Sequence, residues 1–202
     1  MVNKDSTEKK ILHAARIIFQ KKGMFGSRMQ EIADEAGINK ALLYYYFRSK
    51  EKLFLTVFHE AFDLMITKMN TLLEVDMPIF KKIEAMVKEY GNFLKSNPYL
   101  PVFIIYEMNA DPARFISQLK KNNAMPQPVS FILQIEESIK KGEIKPIDPF
   151  QLLINIIALC VFPFAARPML QEFALKDNSS FSEFIDNRQA EIAVFIINSI
   201  KP

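Results

Sequence analysis

SRMQEIADEAGINKALLYYYFRSKEKLF, residues 27–54, is the stretch on which the fold turns. Ser27 with Gln30 three residues later has the pattern of a capping box, so a helix is expected to start at Ser27. Met29, Ile32, Ala33 and Ala36 give that helix one apolar face. Gly37 ends it, because a tight turn between helices needs a residue that tolerates positive φ. Ile38 is expected to tuck into the core, and Asn39 is a good N-cap for a second short helix through Phe47. Ser49 caps a third helix carrying Leu53, Phe54, Val57, Phe58, Ala61 and Met65.

Two short helices joined by a glycine turn, with a small residue (Ala33) where they cross, describe a helix-turn-helix. In the second of them Leu43 and Phe47 lie four apart and face inward, which turns Lys40, Ala41, Tyr44 and Tyr45 toward solvent. Three of the six tyrosines are consecutive here, at Tyr44, Tyr45 and Tyr46. An exposed helix with a lysine, a small residue and phenolic hydroxyls can enter a major groove and hydrogen-bond phosphates and base edges. Tyr46 reads equally well as a core-edge packing residue. Arg48 reads as solvated, and His13 and His59 as helix-surface or core-edge residues.

Charge agrees with that placement. The chain has 202 residues and a net charge of only +3, but residues 1–52 hold 11 Lys and Arg against 6 Asp and Glu. The remainder holds 15 against 17, so the positive excess sits in the first quarter, where a polyanion would be gripped. Before the quoted stretch, Ile11, Ala15, Ile18 and Phe19 recur at helical steps and predict a helix over 7–22. Gly23 then stops it, with Lys21 and Lys22 on the negative end of the helix dipole.

One cysteine (Cys160) and two histidines exclude an internal disulfide framework and a metal site of several Cys and His ligands within one chain. No glycine-rich phosphate loop and no nucleophile in a catalytic motif is present, which argues against an enzyme. No cofactor and no metal is expected. Asn3 to Lys10 is polar, so no apolar leader core begins the chain, and a cytoplasmic setting is the default.

The rest of the chain predicts helices over 79–95, 99–109, 112–122, 128–141, 149–166 and 181–200. Pro78, Pro98, Pro112, Pro128 and Pro149 fall at or near their starts, where the missing N–H costs nothing, and Gly142 fits as a stop. Residues 176–180 read as a polar link. The apolar run within 149–166 is short for a membrane span, carries Asn155 and Pro163, and fits a buried helix better. Fifteen of the 18 phenylalanines follow Leu53, with Met65, Met69, Met86 and Met108 among them. Such residues suit a pocket for an apolar ligand, and they suit plain core packing as well.

Residues 7 to about 58 resemble the N-terminal domain of the TetR (tetracycline-repressor-like) family of transcriptional regulators. Ala33, Ala36-Gly37-Ile38, Leu43-Tyr44-Tyr45-Tyr46-Phe47 and Ser49-Lys50-Glu51 stand where the family pattern expects them. The resemblance implies an all-α protein: a three-helix helix-turn-helix domain over 1–50 and a larger helical effector-binding and dimerisation domain over 51–202. It implies a homodimer on a palindromic operator in double-stranded DNA, usually repressing until a small molecule binds. By position, Ser27 and Arg28 should touch phosphate, Lys40, Ala41, Tyr44 and Tyr45 should lie in or beside the groove, and Lys50 should meet the DNA backbone. Many relatives have Gly where this chain has Ala41 and a small polar residue where it has Leu42. An apolar pair there suggests contact with thymine methyls or extra core packing.

The family also places dimer contacts on the last two long helices, here through Leu153, Ile156, Ile157, Cys160, Phe184, Ile192, Phe195 and Ile196. It places the effector between the long fourth helix and those after it, against Phe62, Met65, Met69, Phe93, Phe103, Tyr106 and Phe115. A largely hydrophobic effector is expected to shift the fourth helix and so the separation of the two reading heads.

Overall fold

The computed structural model describes residues 4–173 and 178–202, and every regular element among them is an α-helix. The chain divides into two compact units, Met1–Phe62 and Asp63–Pro202. The division lies inside one long helix rather than at its start, where the sequence reading placed the domain boundary.

The first unit contains α1 (Lys4–Gly26), α2 (Met29–Glu35), α3 (Lys40–Tyr46) and the beginning of α4 (Lys50–Glu74). Helical geometry in α1 is broken at Gly23, whose φ of 65° is the left-handed conformation expected of a helix-stopping glycine. Ile11, Ala15, Phe19, Ile32, Ala33, Leu43 and Leu53 are fully enclosed. Phe19 meets Phe54 edge-on at 4.9 Å between centroids, and Phe54 lies 4.2 Å from Phe58. Each large side chain so enclosed contributes roughly 1.5–3 kcal/mol, which lets four short segments hold a defined geometry.

The second unit holds the rest of α4, then α5 (Ile79–Ser96), α6 (Leu100–Ala110), α7 (Pro112–Lys121), α8 (Val129–Lys140), α9 (Pro149–Ala165), α10 (Arg167–Phe173) and α11 (Asn178–Ile200). Several starts are written locally: Asp111 accepts the N–H of Arg114 at 3.0 Å, and Asp148 accepts that of Gln151 at 2.8 Å. Pro112 and Pro149 occupy the first turn of their helices. Gly142, at φ 71°, follows α8.

The core of this unit gathers Ile83, Val87, Phe131, Ile135, Leu152, Ile156, Ile192, Ile196 and Ile200 from α5, α8, α9 and α11. Where α5 crosses α11 the approach is close, since a Cβ on Gly91 would lie 2.6 Å from Gln189 Nε2. Around that crossing Lys95 pairs with Asp186 at 2.5 Å and Gln189 reaches Asn92 at 3.5 Å. The carbonyl of Leu73 in the last turn of α4 takes hydrogen bonds from Lys82 Nζ at 2.8 Å and Ser130 Oγ at 3.2 Å. Those donors satisfy a helix-end carbonyl that would otherwise lack a partner. Burial pulls the Lys82 ammonium below its usual range, and nearby Asp76 partly offsets this.

Three expectations need correction. The second helix begins at Met29, not Ser27: the Ser27 hydroxyl donates to the Met24 carbonyl at 2.9 Å instead of capping. The partner at the helix start is Glu31, whose carboxylate accepts the Arg28 N–H at 3.2 Å. The last helix begins at Asn178, so 178–180 belong to it rather than to a link; 176 and 177 lie outside the described residues. Finally, α10 is a separate seven-residue helix that follows α9 at a bend of 64°. Among the described residues no single helix is long and apolar enough to cross a membrane.

Candidate nucleic-acid interface

Geometry in the first unit begins with the turn. After α2, Gly37 adopts φ 65°, and the Ile38 N–H donates to the Ala33 carbonyl at 3.0 Å, closing the helix end. Asn39 then opens α3 by accepting the Leu42 N–H at 2.7 Å through its side chain. These two contacts fix where α3 points, because its seven residues are too few to hold a helix unaided.

Leu43 and Phe47 are buried and anchor α3 to the unit. Lys40, Ala41, Tyr44 and Tyr45 stand exposed, Tyr45 at 72 %, while Leu42 and Tyr46 are half-buried. The Lys40 ammonium lies 5.9 Å from the centroid of the Tyr44 ring. Tyr45 and Tyr46 meet edge-on at 5.6 Å, so the third tyrosine braces the second. One face of α3 therefore presents a cation, a methyl group and two phenols on a fixed backbone.

Next to it, Lys50 Nζ donates to the Ser27 carbonyl at 3.1 Å, tying the start of α4 to the entry of α2. Ser49 caps α4 by accepting the Lys52 N–H at 3.2 Å. Ser27 itself is 2 % exposed and its hydroxyl is engaged with Met24, whereas Arg28 is exposed. Lys22 bonds Glu31 at 2.9 Å and holds that carboxyl below the usual carboxylate range. Phe25, 93 % exposed in the last residues of α1 beyond the break at Gly23, was not singled out by the sequence. Nothing in the short run between Gly23 and Gly26 announces an unburied phenylalanine.

Residues expected at an effector site in the second unit divide by exposure. Met65, Met69, Phe103 and Phe115 are buried, Phe93 is half-buried, and Tyr106 is exposed; Phe62, at the end of the first unit, is buried. A cavity of about 810 Å³ opens elsewhere, beside the end of α4, lined among others by Asp76, Phe80, Lys82, Gln134 and Glu137. None of the expected residues lines it. The expected dimer residues divide too. Leu153, Ile156, Cys160, Ile192 and Ile196 pack in the unit's own core, Ile157 and Phe184 are half-buried, and Phe195 is exposed. The surface these two helices leave open carries Ile154, Phe162, Val194 and Phe195. Among the described residues no group of three or more His, Cys, Asp or Glu side chains is placed to hold a metal ion.

Residues 11–57 match the sequence profile of the bacterial regulatory proteins of the tetR family. Across most of its length the chain is similar to the HTH-type transcriptional regulator RutR of Escherichia coli K12, 28 % identical over 96 % of this chain and 91 % of that protein. Over 43 % of this chain and 42 % of the relative it is 43 % identical to the HTH-type transcriptional repressor NicS of Pseudomonas putida. In fold it is similar to a TetR/AcrR-family regulator from Thermobifida fusca, with a TM-score of 0.65, 18 % identity, and 94 % and 97 % of the two chains covered. With its glycine-turned pair of short helices and its match to that profile, the chain carries over residues 11–57 the helix-turn-helix domain of the tetR-family regulatory proteins, and along most of its length it is similar to an HTH-type transcriptional regulator.

Proposed function

We propose that this regulator acts as a homodimeric repressor that is released from a palindromic operator by a small apolar molecule. The observation that carries the DNA contact is α3, where buried Leu43 and Phe47 hold Lys40, Ala41, Tyr44 and Tyr45 outward. In that role Lys40 and Ala41 face base edges, and the Tyr44 and Tyr45 hydroxyls reach phosphate oxygens. Exposed Arg28 adds a phosphate contact. Lys50 contributes through its place at the entry of α2, and buried Ser27 through its backbone rather than its hydroxyl.

Dimerisation supplies the second reading head, about one helical turn of DNA or roughly 34–36 Å away. We assign it to the open faces of α9 and α11. A groove of about 430 Å³ there is lined by Ala158, Phe162, Phe195 and Arg188, whose Nε is buried without a hydrogen-bond partner among the described residues. A second copy closes that apolar face and offers the guanidinium an acceptor. The effector is an apolar molecule held in the second unit against the Met65, Met69, Phe103 and Phe115 group. Its coupling to DNA runs through α4, which continues from the first unit into the second. The affinity lost on effector binding equals the effector's preference for the released state and no more.

Selection of sites from a random duplex pool, followed by affinity measurements across salt, tests this. A palindromic winner is expected, with log K falling linearly in log salt and a slope of about 0.9 per phosphate neutralised. Lys40→Ala with Tyr44→Ala should abolish the preference for that winner while leaving helicity unchanged. If no sequence is enriched and the double variant binds DNA as the parent does, α3 is not a reading helix.

A further inference from the structure

The recognition helix has an unusually small vocabulary for reading bases. In the major groove adenine is read by a two-bond contact from Asn or Gln, cytosine by Asp or Glu, guanine by Arg or Lys, and thymine by an apolar group on its methyl. The exposed face of α3 offers no Arg, Asn, Gln, Asp, Glu, Ser or Thr. Asn39 stands just before it, but its side-chain oxygen is held by the Leu42 N–H at 2.7 Å. Arg48 is exposed yet lies beyond Phe47, at the wrong end of the helix, since such helices insert their N-terminal residues.

What remains at the inserting end is one ammonium and one methyl. Lys40 lies over the Tyr44 ring at 5.9 Å, which restricts the sweep of an otherwise flexible cation. Ala41 is exposed and Leu42 is half-buried, so packing accounts for the leucine and leaves the alanine without a structural partner. With no side chain beyond Cβ, Ala41 lets the helix backbone come close to the groove floor. Tyr44 and Tyr45, longer and each ending in one hydroxyl, reach the flanking phosphates.

Taking α3 as the DNA-reading helix proposed above, we infer that each half-site is specified by a guanine opposite Lys40 and a thymine whose 5-methyl packs on Ala41. Identity at other positions comes from DNA shape rather than base contact. Such an operator is methyl-dependent, which hydrogen-bond readers are not.

Deoxyuridine placed for thymine, one position at a time in the selected operator, removes the methyl and leaves every hydrogen-bonding edge intact. Affinity of the full-length wild-type protein is measured by fluorescence anisotropy at fixed salt. One thymine per half-site should cost about fourfold on substitution, the transfer value of one methyl, and every other thymine less than twofold. In Ala41→Gly that fourfold penalty should vanish. Replacing the guanine opposite Lys40 by 7-deazaguanine should weaken wild-type binding and leave Lys40→Ala unaffected. If no thymine responds in the wild-type protein while the Lys40→Ala, Tyr44→Ala double variant still loses specific binding, the methyl reading is wrong and the DNA-reading helix stands. If no operator can be selected, the reading helix itself falls, and this assignment with it.

Discussion

A thiol attacks as its thiolate, and burial pushes the Cys160 thiol up to about 12, against a weaker opposing pull from the Arg188 guanidinium. The native protein should therefore resist Ellman's reagent at pH 8 and release one thiol per chain on unfolding in guanidinium. Fast labelling of the folded protein would mean that α9 does not bury this face. The sign follows for stability: between about pH 9 and 12 the unfolded chain gives up this proton first, so stability falls as pH rises through that window. Cys160 also marks where residue-level reading of the sequence reached its end. Leu43 and Phe47, four apart beside polar neighbours, could be told from Lys40 and Tyr44 because one helical face contrasts with the other. Cys160 lies in a run with apolar neighbours all round, which has no phase, so its place among the expected dimer contacts rests on the family resemblance alone, while the structure packs it in the unit's own core. Ser27 was misread for a different reason. Both Ser27–Gln30 and Arg28–Glu31 have capping spacing, and only the carboxylate's bond to the Arg28 N–H decides between frames one residue apart.

Helix ends were legible at Asn39 as a cap, at Pro112 and Pro149 in first turns, and at Gly37 and Gly142 with positive φ. Arg167–Phe173 has Pro168 in its first turn, but none of its seven residues is buried, so no apolar face in the sequence marks it off as an element. Closeness between helices is likewise unwritten. Gly91 reads as an ordinary interior glycine, worth up to about 1 kcal/mol if changed to alanine. The structure offsets that gain, because the added methyl would stand 2.6–2.8 Å from the Gln189 side chain, whose flexible amide end must swing aside. Gly91→Ala should then change the stability by less than about 1 kcal/mol and break the Gln189–Asn92 hydrogen bond. Gln189→Ala, which brings no gain alone, should let Gly91→Ala express its full helix gain when the two are combined. Chemical denaturation of the four proteins measures the coupling; additive effects would place the two helices farther apart than described.

At the level of the whole molecule, the positive excess of the first 52 residues attracts DNA wherever the chain meets it, but charge alone does not choose a site. In the proposed dimer, choice comes from two reading heads held at a fixed separation, and that depends on which faces of α9 and α11 remain open after each chain has folded. Ile156 and Ile196 are spent inside the core, at 1 % and 2 % exposure, while Phe162 and Phe195 stand at 57 % and 66 %. Aromatic side chains so exposed on neighbouring helices are what an interface core is built from. Phe162→Glu with Phe195→Glu should then yield a folded monomer: near-native helicity and thermal midpoint, but half the mass in sedimentation equilibrium. Each monomer still presents α3, so weak salt-dependent binding to a single half-site should survive. The gain from linking two half-sites, commonly a hundredfold or more, should disappear. Ile156→Glu supplies the contrast, since a carboxylate forced into the core should unfold the second unit instead of splitting a dimer. A Phe162→Glu, Phe195→Glu variant that remained dimeric and kept its operator affinity would move the two-fold contact off α9 and α11, and the spacing of the half-sites would have to be explained from another face.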